Sequence, residues 1–170
     1  IKRLRLDQKI SEPSNNLTRI NYRLVNPAKS LNAFKLLELY DEDLIHKTFK
    51  ILLNDQLLFK NNDQLKDVFK RNTSENLDWF FEDVFANTSN IDYSIKEKRK
   101  KFVVQNLGGF DSPYEVAYYD KNGKELKRSW YRQDSEFAEY DKPYSCDYAV
   151  IDPDKMMPDV VRTNNSSKRF

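Results

Sequence analysis

The chain of 170 residues holds one cysteine, Cys146, and one histidine, His46, and only three glycines. A single cysteine excludes an internal disulfide framework and any thiolate metal cluster made by this chain alone. With one imidazole added, there are still too few ligands to hold zinc tightly. No apolar run approaches the roughly 18 residues of a membrane-spanning helix. The chain is therefore read as lying outside the lipid, and because it opens on Ile1 it is read as a processed chain or a fragment of a longer one. Charge of one sign is also scarce. Lys and Arg number 29 against 27 Asp and Glu, a net +2 that does not mark a dedicated nucleic-acid binder. The one strong basic run, Lys98-Arg99-Lys100-Lys101, reads as a solvated hairpin turn. Cys146 reads as a small buried strand residue and not as a nucleophile, since His46 is far away in sequence. The Asn-x-Ser/Thr triplets at Asn16, Asn72, Asn87, Asn164 and Asn165 read as coincidence in an Asn-rich chain.

What the chain does have is aromatic residues, with eleven Phe and ten Tyr. They are densest at Leu77-Asp78-Trp79-Phe80-Phe81-Glu82-Asp83-Val84-Phe85. Apolar residues at 77, 80, 81, 84 and 85 share one helical face, which must be buried against neighbours. Each such side chain contributes roughly 1.5 to 3 kcal/mol on burial.

The pattern predicts an α+β chain, with a short antiparallel helical array first and an antiparallel β unit after it. Residues 1–21 are polar and irregular, with a loop signal over residues 11–16, and form a lead-in. The helical region covers 22–88. Its first helix is expected to open at Pro27 and to bury Leu31, Phe34 and Leu37. A second opens at Asp41-Glu42-Asp43 and buries Ile45, Phe49 and Leu52. A third carries Leu65, Val68 and Phe69, and the fourth carries Trp79. After Asn90 the period falls from about 3.6 to 2, so a β domain is placed at 91–163, with a polar tail at 164–170. Strands are expected at residues 91–95, 102–104, 114–119, 125–131 and 146–151, and Gly108-Gly109 breaks the second. Asn122-Gly123 signals a hairpin with a type I′ turn. Short strands at this spacing fit an immunoglobulin or fibronectin III-like β-sandwich.

In order, these landmarks resemble the C-terminal part of the aminopeptidase N-like gluzincin zinc metallopeptidases of bacterial secreted and envelope type. Leu77, Asp78, Trp79, Phe80 and Phe81 match the motif that closes the helical end of the catalytic domain in that family. Asp92 and Tyr93 match the start of its β domain. Asp152, Pro153, Asp154, Asp159, Arg162, Asn164 and Asn165 match the pattern on which that domain closes. Asn26-Pro27-Ala28-Lys29 resembles the helix that follows the family's transition-state tyrosine. In that family a His-Glu-x-x-His helix and a distal Glu hold zinc and activate water. This chain has no such motif, so zinc is implied only for a parent that carries it upstream, and no metal ligand is assigned here. Leu24-Val25-Asn26 stand where the tyrosine is expected, and Tyr22 takes the role only with a two-residue slip.

The resemblance implies a noncatalytic segment of an extracytoplasmic aminopeptidase-like protein, supplying a helical wall of the substrate cleft and a bracing sandwich. Its partner would be the upstream catalytic region of the same protein. Two alternatives stand beside it. One is a pseudoenzyme or scaffold in a cell-envelope complex, favoured by the missing tyrosine. The other is a carbohydrate-binding module using Tyr118, Tyr119, Trp130 and Tyr131, of which half are expected to face the core.

Overall fold

The computed structural model describes residues 7–54 and 62–168. The first six residues of the expected lead-in and the last two of the expected tail lie outside them. The chain divides into two compact units, Ile1–Thr88 and Ser89–Phe170. The first is helical, and the second holds two three-stranded antiparallel sheets.

In the helical unit, turns run without a break from residue 19 to Tyr40. The Thr18 hydroxyl caps the start by accepting from the Asn21 N–H at 3.4 Å. Pro27 stands in the first turn of the ordinary α-helix, as expected, but further helical turns precede that helix. A widened π turn, Asn21–Val25, precedes α1, Asn26–Tyr40, and its Asn26 N–H reaches back to the Asn21 carbonyl. Pro27 has no N–H to donate and crowds the preceding turn. The widened turn immediately upstream absorbs that conflict, so the helix continues through the proline.

The expected core of α1 is corrected. Ala33, Leu36 and Leu37 are buried, whereas Leu31 is 71 % exposed. Residues 31 and 37 are six positions apart, and at 100° per residue they cannot share one stripe. In α2, Glu42–Asn54, Leu44, Ile45 and Thr48 are the buried residues. Phe49 is only partly covered, with its ring 5.7 Å from Phe34 and 6.4 Å from Phe69. Asp41 caps α2 by accepting from the Leu44 N–H at 3.0 Å, as a carboxylate before a helix should. Phe69 of α3, Asn62–Arg71, is fully buried.

Trp79–Phe85 is a π-helix and not the ordinary helix that the spacing suggests. Trp79, Phe80, Phe81, Val84 and Phe85 are all buried, so the segment is covered on more than one side. Phe80 meets Phe34, Phe81 and Phe85 at 5.6, 5.1 and 5.0 Å, within the usual range for aromatic pairs. Trp79 is 1 % exposed and meets Tyr40 edge-on at 5.9 Å.

In the β unit, β1, Tyr93–Lys98, and β2, Lys101–Asn106, form a hairpin, and β5, Phe137–Asp141, lies on the far side of β2. The second sheet has β3, Tyr114–Tyr119, at its centre, between β4, Glu125–Tyr131, and β6, Tyr148–Ile151. Alternation sets the faces: Tyr93 and Ile95 on β1, Phe102 and Val104 on β2, and Tyr114, Val116 and Tyr118 on β3 are buried. The strand β5 has no counterpart among the expected ones. Its exposed Phe137 inverts the apolar-in pattern on which that reading relies.

The Asn122-Gly123 turn is also corrected. Only Gly123 has positive φ, and the Asp120 carboxylate accepts from the Asn122 and Lys124 N–H groups at 2.8 and 2.9 Å. Asp120 thus organises a longer loop, with a register shift between Tyr118 and Tyr119. Cys146 is buried but lies just before β6, not within it. Gly108 lies just past the end of β2 and leaves no room for a side chain, since a Cβ there would stand 2.0 Å from the Asn90 carbonyl oxygen.

Candidate functional site

Of the residues after β6 that carry the resemblance, Asp159, Asn164 and Asn165 come together at the start of the β unit's first strand. Asp159 is buried beside Ile91, with which it forms an isolated parallel bridge. One of its carboxylate oxygens accepts from the Tyr93 N–H at 3.1 Å and from Asn165 Nδ2 at 3.3 Å. The other accepts from the Val161 N–H at 2.8 Å. Asn164 Nδ2 donates to Asp92 at 3.1 Å, and the Val160 N–H donates to the Ile91 carbonyl at 3.0 Å. The Val160 and Val161 N–H groups of this irregular stretch are thereby satisfied. These side chains form a clasp that fixes the closing segment to β1.

Asp152 and Asp154 do different work although they flank the same proline. Asp152 is buried at φ 51°, and its carboxylate accepts from the Met156 and Met157 N–H groups at 2.8 and 3.0 Å. Burial raises its carboxyl above the ordinary range, and the two N–H groups oppose that shift. Asp154 is exposed and pairs with Arg128, which also meets Glu125 at 2.8 Å and Glu115 at 3.3 Å. Arg162 donates to the Met157 carbonyl at 2.8 Å, closing the turn that Asp152 opens. Nothing in the local spacing singled out Arg128. Its only sequence signal is Glu125 three residues earlier.

In the helical unit, Leu77, Trp79, Phe80 and Phe81 are core, and Asp78 is at the surface. Asp78 takes Lys70 at 2.9 Å and Lys66 at 3.4 Å, and the Lys70 hydrogen bond holds its carboxyl below the usual range. Tyr22 is 58 % exposed on the widened turn before Pro27. His46 is exposed on α2, in a shallow depression with Asp41, Asp43, Lys47 and Asn72. Among the described residues no group of three or more His, Cys, Asp or Glu could hold a metal ion. No described helix is long and apolar enough to cross a membrane.

The aromatic residues considered for sugar stacking are mostly engaged. Tyr118 is buried and donates to the Tyr131 hydroxyl at 2.9 Å. Tyr119 stacks on Tyr148 at 5.1 Å, and Tyr131 packs on Tyr140 at 4.2 Å. Trp130 is half-buried. Tyr93 and Tyr114 lie 4.5 Å apart, and burial raises both phenols well above their ordinary pKa. The Tyr93 hydroxyl lies 2.8 Å from the Ser112 carbonyl, and that of Tyr114 donates to Gln133 at 2.6 Å. This is a satisfied polar core and not a reactive site. The Cys146 thiol is likewise raised by burial, and its Sγ donates to the Tyr148 carbonyl at 3.3 Å.

No family model matches the chain, and no characterised protein matches it in sequence. The functional reading therefore rests on the motifs and on where the fold puts them.

Proposed function

We propose that this chain is a noncatalytic, architectural segment of an aminopeptidase-like zinc metallopeptidase, supporting the substrate cleft of a protein whose catalytic residues lie upstream. The observation that carries the reading is the clasp. Asp92 and Asn164 are hydrogen-bonded across 72 positions and Tyr93 and Asp159 across 66, and Asn165 joins the same Asp159 carboxylate. Their order along the chain is the part of the resemblance that is hardest to reach by chance.

Two further features support it. Strand orders β1-β2-β5 and β4-β3-β6 agree with the A-B-E and C′-C-F orders of an immunoglobulin-like Greek-key sandwich. The segment Asn165–Ser167 would take the place of the last strand, since Ser166 bridges Val150 and the Ser167 N–H reaches the Ala149 carbonyl at 2.9 Å. Phe102 on one sheet meets Tyr118 on the other at 5.7 Å, as facing layers of a sandwich would.

A scaffold or pseudoenzyme role is the second reading. The residues just before Pro27, Leu24, Val25 and Asn26, carry no hydroxyl that could stabilise an oxyanion. Both readings give an envelope or secreted protein. The test is hydrolysis of aminoacyl substrates by the complete product of the reading frame, with and without Asp159→Asn. An architectural role predicts unchanged kcat in the folded fraction and a lowered Tm. Loss of kcat at unchanged Tm would overturn it, and zinc binding without hydrolysis in the parent would select the pseudoenzyme.

A further inference from the structure

Two local rules of hairpin construction are broken at one place, the tip of β1–β2. Arg99 and Lys100 fill both central positions of the turn at φ 51° and 63°, where Asn and Gly are favoured because long side chains are strained. The flanking Lys98 and Lys101 are direct cross-strand partners, and like charges placed opposite each other repel. Departures of this kind concentrate where function overrides local preference. Of the four cations only Lys101 has a carboxylate partner among the described residues, Glu139 at 3.2 Å.

Beside the tip is an open depression of about 500 Å³, lined by Glu97, Arg99, Asp147, Tyr148, Ser167 and Lys168. Glu97 is engaged by Lys142 at 2.9 Å. Lys168 lies 4.7 Å from the Tyr148 ring centroid, and Tyr119 stacks on the same ring, so Tyr148 is not offered as a stacking platform. Arg99 can present a fork of N–H donors to a carboxylate, and Asp147 can accept from hydroxyl groups. An occupant that suits both combines negative charge with hydroxyls. One that also meets the tip carries its charge repeatedly. The tip has no aromatic residue to stack on bases and no apolar residue to enter lipid.

We propose that the β1–β2 tip and this depression bind an acidic polysaccharide, a chain of sugars bearing carboxylates. The site is independent of whether the parent hydrolyses peptides.

The experiment titrates the protein with polygalacturonate, with neutral dextran, and with vesicles of phosphatidylcholine and phosphatidylglycerol, at low and high salt. The double variant Arg99→Asn/Lys100→Gly removes two cations while giving the turn its preferred residues, so the fold is retained. Polygalacturonate should bind and dextran should not, with affinity falling as salt rises. The double variant should bind roughly tenfold more weakly, the loss expected for two exposed ion pairs within their usual range. No binding of polygalacturonate, equal binding of dextran, binding to vesicles alone, or undiminished affinity in the double variant would each overturn the proposal.

Discussion

Removing the Asp159 carboxylate is the sharpest perturbation of the β unit. In Asp159→Ala three donors lose their acceptor: the Tyr93 N–H, the Val161 N–H and Asn165 Nδ2. A buried donor left unsatisfied costs about 1 to 3 kcal/mol. Partial access of water at the edge of the clasp reduces the simple sum, so a loss of about 3 to 5 kcal/mol is expected, as for other broken buried networks. Asp154 gives the internal control. Its side chain is 61 % exposed in its ion pair with Arg128, and Asp154→Ala should cost no more than about 1 kcal/mol. The assay is urea unfolding read by Trp130 fluorescence in a Trp79→Phe background, because one tryptophan belongs to each unit. Midpoint shifts for the two variants that agree within about 1 kcal/mol would refute the clasp as the element that secures the closing segment.

Trp79→Ala should destabilise the helical unit by about 3 to 5 kcal/mol, while Trp79→Phe should cost less than half of that, because the buried indole N–H has no acceptor among the described residues. Equal losses for the two variants in thermal unfolding would contradict this. Gly108→Ala should lower the stability of the β unit by at least about 2 kcal/mol, since its Cβ would overlap the Asn90 backbone. A midpoint within error of the parent chain would show that the strand end yields easily. The Asp152 carboxyl is raised by burial, so the folded state keeps its proton to a higher pH than the unfolded chain. The stability contributed by that group is full below the unfolded pKa and is lost as pH rises through the folded one. Asp152→Asn removes this titration, so the stability gap to the parent chain should move in the variant's favour as pH rises from below the ordinary aspartate pKa through the raised one. A gap that stays constant would show that Asp152 does not titrate in this sense.

Local pattern made the sheets legible but not all of their edges. Tyr114–Tyr119 and Glu125–Tyr131 are the expected strands residue for residue, because the loop signal at Asn122-Gly123 separates the two. The strand β5 was hidden, since its one strong apolar residue, Phe137, faces solvent. In the helices, Pro27 is the first-turn residue of α1 that its chemistry suggests. The widened turn that lets it sit inside a longer helix leaves no trace in spacing. Leu31 and Phe49 were read as core from a count of three and four, and the drift of the helical face puts Leu31 outside. The residues of the clasp were visible as a motif, but their role was not. The bond from the Tyr93 N–H to the Asp159 carboxylate joins positions 66 apart, and no local rule pairs them. The Arg99-Lys100 turn was read correctly as a hairpin tip, and its strain became visible only from the backbone angles.

Zinc stoichiometry is the most direct measurement of the central claim, made side by side on this chain and on the complete product of the reading frame that encodes it. Metal analysis after dialysis, paired with aminoacyl-substrate hydrolysis before and after chelation, should find zinc and chelator-sensitive activity in the complete product. It should find neither in this chain, whose single His46 and lone Cys146 supply too few ligands. Stoichiometric zinc retained by this chain, or a complete product that carries neither zinc nor hydrolytic activity, would contradict the account.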